Sequence, residues 1–330
     1  MPEASPTTAL STALTTALTI GNFDGVHLGH QALVRRCREL VGAKGRVVVL
    51  AFDPHPMSRL RPGFAPPRIT PFEQRQALLE AAGADSVVRL SPTDDLLAKT
   101  AEEFVEWFTK AHSPAVVVEG ADFHFGKGRG GNTDLLARLG PSHGFRCVVE
   151  PPVEVTLSDH LIARASSSLL RFLLAHGRVR DAAIVTGRPH RLAATVVKGD
   201  QLGRTIGFPT ANLASETLLP ADGVYAGLAH VPTIGQTFAA AVNIGTRPTV
   251  SGVDRRVEAH LLLDSQGTEW SPLPGLPEYG WAVELELISR VRDQVRFPGL
   301  DALRGQLVRD IAVVRRITGQ ITGAMASATV

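Results

Sequence analysis

The feature that most constrains the fold is a change of hydrophobic rhythm near residue 185. Upstream, short apolar runs at 17–20, 47–52, 87–90, 115–118 and 147–149 alternate with segments of helical spacing. Leu33, Cys37, Leu40 and Val41 fall at i, i+4, i+7 and i+8, and the same period recurs over 74–82 and 96–111. The run at 47–52 is unbroken until Asp53-Pro54-His55-Pro56, as expected of a parallel strand buried on both faces. Downstream the period becomes 2, with Val283, Leu285 and Leu287 alternating with Glu284 and Glu286 between Gly/Pro turns. Further strands are expected at 193–197, 223–229, 238–242 and 257–263, closed by a helix at 300–317. The pattern predicts a doubly wound parallel α/β domain over 1–182 and an antiparallel β-barrel with a terminal helix over 183–330.

Length and composition agree with two folded units. A chain of 330 residues exceeds the usual size of one domain, and 44% hydrophobic with 20% charged residues excludes disorder and coiled coil. Lys plus Arg at 34 against Asp plus Glu at 32 leaves a net charge of +2, too balanced for electrostatic binding of nucleic acid. Cys37 and Cys147 show no metal-ligand spacing and make no disulfide framework, which suits a reducing compartment. No stretch approaches the roughly 20 apolar residues needed to span a bilayer. The Ala/Thr-rich stretch 1–19 lacks the basic and apolar regions of a secretion signal. A cytoplasmic protein without membrane or nucleic-acid partner is expected.

After the first strand comes Gly21-Asn22-Phe23-Asp24-Gly25-Val26-His27-Leu28-Gly29-His30. Two histidines three apart at a helix start put both rings on one face. Free N–H groups and partial positive charge at that helix end favour a phosphate, and two imidazoles beside it can stabilise charge that builds on phosphate during displacement. The alternative is that one histidine packs and the other caps. His-x-Gly-His after a first strand and opening a first helix resembles the signature of the α/β nucleotidyltransferases, which attack the α-phosphate of a nucleotide and expel pyrophosphate. Gly126-Lys127-Gly128-Arg129-Gly130-Gly131 imitates a dinucleotide-binding loop, but its expected strand ends at Val118, too early. The same region imitates a P-loop, but Gly128 follows Lys127 where Ser or Thr is required.

In the second half the densest cluster is Gly203-Arg204-Thr205-Ile206-Gly207-Phe208-Pro209-Thr210-Ala211-Asn212. Pro209 biases Phe208 towards extended backbone. If the segment stays extended, Thr210 and Asn212 share a side, and a hydroxyl with an amide oxygen suits Mg²⁺ that also holds water and nucleotide phosphates. A turn that caps the next element is the competing reading. Glu258 and His260 share one strand face, opposite Val257, Ala259 and Leu261.

Taken in order, the blocks GNFDGVHLGHQ from Gly21, AFDPHP from Ala51, DFHFGKGRGGN from Asp122, SSSLLR from Ser166, GRPH from Gly187, VVKGDQLGRTIGFPTANL from Val196, GVYAG from Gly223, AAVNIGTRPT from Ala240 and VEAHLL from Val257 closely resemble the bacterial bifunctional riboflavin kinase/FMN adenylyltransferase (FAD synthetase) family over nearly the whole chain. The resemblance implies an N-terminal nucleotidyltransferase domain that moves AMP from ATP to FMN. Its nucleotide would meet Gly21, Phe23 and Asp24, with catalytic His27 and His30 on the phosphates, Asp122 at the substrate junction, and Arg164, Ser167, Ser168 and Arg171 holding phosphate. It also implies a C-terminal flavokinase barrel in which Gly203 and Gly207 meet nucleotide, Thr210 and Asn212 hold Mg²⁺, and Glu258 is the general base that deprotonates riboflavin. Riboflavin, FMN, FAD and ATP are the implied substrates and products.

The chain departs from that pattern at Ser168, where threonine is usual, at His190 and Ala194, where an aromatic and a glycine are common, and over 265–281, which is longer and Pro-rich. The last departure bears on which residues near Tyr279 line a flavin pocket. A relative with one silent site, and a nucleotide-binding regulatory or RNA-interacting protein on the same fold, remain the alternatives.

Overall fold

The computed structural model describes residues 15–199, 201–249, 252–263 and 273–327. The first fourteen residues of the leader and residues 264–272 of the Pro-rich segment lie outside them. By packing, the chain divides into one unit of residues 1–66 with 72–153 and a second of 67–71 with 154–330.

In the first unit, β1 (Thr16–Gly21), β2 (Arg46–Phe52), β3 (Ser86–Leu90), β4 (Val116–Gly120) and β5 (Arg146–Glu150) form a parallel sheet in the order β3-β2-β1-β4-β5. The unbroken run of β2 has a direct cause, because its side chains feed alternately into two cores. Val48 and Leu50 join Leu18, Ile20 and Val117 on one face, under Phe104, Val105 and Phe108 of α4 (Ala101–His112). Val47, Val49 and Ala51 join Ala17, Val116 and Val118 on the other, under Val34 and Cys37 of α1 (Leu28–Val41) and Phe72 and Leu79 of α2 (Phe72–Ala81). The sheet is therefore doubly wound, and the order reverses between β1 and β4, where such folds bind ligand beyond the strand ends.

The single helix expected over 96–111 is two. A short α3 (Asp94–Ala98) stops, and Thr100 starts α4 with a capping box in which its hydroxyl accepts from the Glu103 N–H while the Glu103 carboxylate accepts from the Thr100 N–H. Helical spacing runs through the break, so the spacing alone hid it. A short α5 (Thr133–Leu139) precedes β5.

In the second unit, a hairpin of Glu154–Thr156 and Ile162–Arg164 leads to α6 (Ser167–Ala175) and α7 (Val179–Thr186). Six antiparallel strands follow: β6 (His190–Val197), β7 (Ala211–Ala214), β8 (Gly223–Val231), β9 (Gln236–Thr249), β10 (Gly252–Leu262) and β11 (Ala282–Arg292). They close into a barrel in the order β6-β7-β10-β9-β8-β11. The expected terminal helix is α8 (Leu300–Ser327), which packs over β8, β9 and β11 with Val314 wholly buried against Ala226 and Leu262. Because α7 lies against β6 and β11, residues 154–182 pack with the barrel, ahead of the sequence-based boundary at 182/183.

Candidate active sites

The first site is a turn between β1 and α1 built on strained backbone. Phe23 and Val26 take positive φ, at 50° and 39°, while Gly25 between them adopts 84° without strain. For a β-branched valine this conformation is disfavoured, and such strain, about 1–3 kcal/mol per residue, collects at functional sites. The Phe23 ring is buried beneath the turn and lies where a Cβ on Gly21 would meet it at 3.3 Å, which explains the glycine. Asp24 and His27 are buried as well. His27 is the N-cap of α1, its Nδ1 facing the His30 N–H at 3.4 Å, and the two imidazoles stack with centroids 3.6 Å apart. Capping and pairing thus coincide: the cap holds one ring where the other stacks on it.

Two buried groups that the sequence did not reveal hold this turn. Arg75 of α2 donates to the carbonyls of Asn22 and Phe52, each at 2.8 Å, and to Asp53 at 3.2 Å. It ties the carboxyl ends of β1 and β2 together, and Asp53, wholly buried, also receives Arg89. From the other side Glu119 of β4, 2% exposed, accepts the Ile20 N–H at 2.7 Å. Burial, with the negative charge of Asp122, pushes the Glu119 carboxyl well above the usual carboxylate range, against the opposing pull of the Ile20 N–H. The Asn22 side-chain oxygen in the same turn is buried and accepts from no group among the described residues. Asp122 itself stands exposed just past β4. The turn after β1 and Asp122 after β4 therefore flank the switch point.

Arg164, Ser167, Ser168 and Arg171 form a separate group in the second unit. Arg164 ends the 154–164 hairpin paired with Glu154, and Ser166 caps α6 by accepting from the Leu169 N–H at 3.1 Å. Ser167 and Ser168 open the helix, and Arg171 one turn on donates to the Pro67 carbonyl at 2.8 Å. The cap is Ser166, and Ser167 and Ser168 follow it in the first turn, at a positive helix end. Asp181 of α7 anchors the hairpin: burial would raise its pKa, but the Ser158 N–H, Arg178 and the Ser158 hydroxyl bring it below the usual range.

The barrel carries the other site on strand faces. Glu258 of β10 lies in register with Asn212 of β7 on one side and Asn243 of β9 on the other, so three polar side chains stand abreast on one face. They line a cleft of about 760 Å³ with Gly203, Thr210, Phe208, His260, Phe297 and Ile311. The extended course anticipated after Pro209 is real, and β7 begins at Ala211. His260 fixes it by donating from Nδ1 to the Pro209 carbonyl at 2.7 Å, and burial holds the His260 pKa below its usual value. A Cβ on Gly203 would meet the Phe208 carbonyl at 2.3 Å and the Thr210 hydroxyl at 3.2 Å, and one on Gly199 would overlap the Asn212 carboxamide, so only glycines leave room for this backbone and for the Asn212 side chain. Gly207, at φ 83° in open space, does not line that cleft. Asn243 was missed in sequence; it accepts from Gln294 at 2.9 Å, and only the barrel register shows that it flanks Glu258. Arg292 grips Asp310 of α8 with a two-pronged fork at 2.7–3.0 Å on the cleft wall.

Tyr279 lies outside that cleft, beside a smaller one that shares Thr210 and Asn212 with it. Its hydroxyl receives Gln201 at 3.0 Å and donates to Glu278 at 2.8 Å, and Val197, Arg204 and Trp281 line the same smaller cleft. The glycines of 126–131 also have a packing explanation: a Cβ on Gly126 would meet the Ala101 backbone at 2.7 Å, and one on Gly131 the Phe125 ring at 2.6 Å.

A doubly wound sheet with a histidine-lined turn at its switch point, joined to a closed barrel with a carboxylate-centred cleft, defines a two-part nucleotide-using transferase. The FAD synthetase family model matches residues 10–164 and the riboflavin kinase model residues 186–318. The bifunctional riboflavin kinase/FMN adenylyltransferase of Escherichia coli K12 is 35% identical over 312 residues, covering 91% of this chain and 92% of that protein. The enzyme of the same description from Haemophilus influenzae is 33% identical over 300 residues, covering 90% and 92%. A solved Streptococcus pneumoniae structure, described as a macrolide-efflux protein, superposes with a TM-score of 0.78 at 28% identity over 92% of this chain and 95% of that one. The chain belongs to the bifunctional riboflavin kinase/FMN adenylyltransferase family.

Proposed function

We propose that the barrel cleft phosphorylates riboflavin to FMN with ATP, and that the turn of the first unit transfers AMP from a second ATP to FMN, making FAD and pyrophosphate. The observation that carries this reading is the row Asn212–Glu258–Asn243 beside Thr210 on the wall of a cleft of about 760 Å³, within the range of small-molecule sites. Phe208, Phe297 and Ile311 give that cleft apolar walls suited to a flat ring system.

In the kinase step Glu258 accepts the proton of the terminal ribityl hydroxyl as its oxygen attacks the γ-phosphorus, and ADP leaves. The Thr210 hydroxyl and Asn212 carboxamide oxygen fit Mg²⁺, being hard donors beside which Gly203 and Gly199 leave space. Bound there with nucleotide, the ion would neutralise phosphate charge. In the transferase step an FMN phosphate oxygen attacks the α-phosphorus of ATP and pyrophosphate departs. His27 and His30 then stabilise the charge that builds on the phosphates, and the backbone N–H groups at the start of α1 add to it. Gly21, Phe23 and Asp24 shape the turn, Asp122 meets the substrate junction, and Arg164, Ser167, Ser168 and Arg171 supply hydroxyl and guanidinium donors for phosphate. Gly203 flanks the kinase nucleotide, whereas Gly207, outside the cleft, turns the chain ahead of Phe208.

We assign the kinase activity to residues 183–330 and the transferase activity to 1–182. Burial and nearby Glu119 push the Cys147 thiol up to about 11, and burial pushes Cys37 higher still, so both are weak nucleophiles at neutral pH. A cytoplasmic setting belongs to the same reading, since two cysteines make no disulfide framework. Among the described residues no helix is long and apolar enough to cross a membrane. The test is incubation of the whole protein with riboflavin and Mg-ATP, followed by separation of the flavins. FMN followed by FAD is the expected course, and FMN as the end product would reduce the chain to a kinase.

A further inference from the structure

β1 and β4 are neighbours, yet they share ladder pairs only at Ala17–Val116 and Leu18–Val117. β1 stays with β2 as far as Gly21–Ala51, and β4 stays with β5 as far as Gly120–Glu150. The two central strands thus part company over their last residues, at the switch point where the phosphate-binding turn begins. Parting strands leave inward-facing backbone groups that must be satisfied in some other way. Here the Glu119 side chain crosses the gap, and its Oε1 accepts the Ile20 N–H at 2.7 Å. Ile20 is the residue before Gly21, where the strained turn starts. The residue type is also out of place by its neighbours, since Glu119 follows Val116-Val117-Val118 in an otherwise apolar strand. A fourth valine would extend the apolar run and invite the ladder to close.

We propose that Glu119 is a positioning residue for AMP transfer: its carboxyl replaces the missing β1–β4 ladder, holding the crevice open and fixing the point at which Ile20 passes into the Gly21–His30 turn. The proposal rests on the placement of the transferase site at that turn. Glu119 touches no substrate in this role. It acts through the backbone that aims His27, His30 and the start of α1.

The experiment measures FAD formation from supplied FMN in the full-length protein, with kcat and KM for ATP, for Glu119→Gln, Glu119→Val and Glu119→Asp. Riboflavin phosphorylation in each preparation serves as the control for folding. Gln keeps both the reach and an accepting oxygen, so its values stay within about threefold of wild type. Val offers no acceptor and Asp is too short, so each raises KM for ATP by roughly tenfold or more, with a smaller fall in kcat and unchanged kinase activity, the order of loss expected when bound phosphates are displaced by a fraction of an ångström. Wild-type KM in both Val and Asp overturns the proposal. So does Gln as impaired as Val, which would make charge rather than the hydrogen bond the working property. If the Val protein also loses kinase activity through misfolding, the contrast of Gln with Asp decides alone. His30→Ala is assayed beside them: undiminished FAD formation in that variant removes the site from this turn, and the proposal with it, whereas a loss there with normal Glu119 variants refutes only the role of Glu119.

Discussion

The two units place their polar chemistry by opposite means. In the parallel sheet the strands are buried on both faces, so the proposed chemistry sits in a turn beyond the strand ends, and that turn is held by side chains arriving from elsewhere: Arg75 from α2, Glu119 from β4, His27 as its own helix cap. In the barrel the strands have one face inward and one outward, and cross-strand register alone sets Asn212, Glu258 and Asn243 abreast. A turn site depends on a shell of buried hydrogen bonds; a strand-face site depends on the sheet. The first is consequently the more sensitive to changes at a distance, and the second to changes on the face itself.

The sharpest break in that comparison is Glu258→Gln. The substitution keeps size and register but cannot take a proton, so riboflavin phosphorylation should fall by roughly 10² to 10⁴ while flavin binding, followed by fluorescence quenching, stays near wild type. FAD formation from supplied FMN should survive. Turnover near the wild-type rate would return Glu258 to an ordinary solvated strand residue. Next in size is His30→Ala, which should lower FAD formation by about 10² to 10³, the scale for losing one preorganised partner of developing charge, with FMN formation intact. His27→Ala should do the same to FAD formation and also loosen α1, because His27 is its cap.

Smaller effects sharpen the contrast. Thr210→Val or Asn212→Leu should raise KM for Mg-ATP in the kinase assay by about tenfold with a lesser effect on kcat, since ligands rather than the base are removed. Smallest is Asp181→Asn, which should cost about 1 kcal/mol of stability at neutral pH while leaving both chemistries measurable. Asp181 has a folded pKa below its unfolded one, so its contribution is present above the unfolded value and is lost as pH falls through the folded one. Acid denaturation of the variant should therefore begin from a lower plateau and fall less steeply below about pH 4. An unchanged acid limb in denaturation curves would show that the Ser158–Asp181–Arg178 network adds nothing.

Much of this was legible in the sequence because the signals are local. The change of period marked the two architectures, and Gly21 to His30 announced a strand, a tight turn and a helix. Counting in twos set Thr210 with Asn212 and Glu258 with His260, and the family resemblance alone joined the two pairs in one site. What stayed hidden depends on distance along the chain. Glu119 meets Ile20 across 99 residues and Arg75 meets Asn22 across 53, and a lone polar residue in an apolar run or helix gives no sign of its partner. Nothing in the sequence singled out Asn243, and only the register of β9 with β10 places it beside Glu258. The joint between α3 and α4 was hidden by helical spacing that continues through Thr100 although the hydrogen bonds do not.

The central claim is that the chain holds two separate sites joined by FMN, and mixing two damaged proteins tests it most directly. His30→Ala alone, given riboflavin and ATP, should stop at FMN, and Glu258→Gln alone should make almost nothing from riboflavin. Mixed in equal amounts they should produce FAD at a rate well above the sum of the two, because FMN released by one feeds the intact transferase of the other. A mixture that makes no more FAD than its components, with FMN accumulating, would contradict the account.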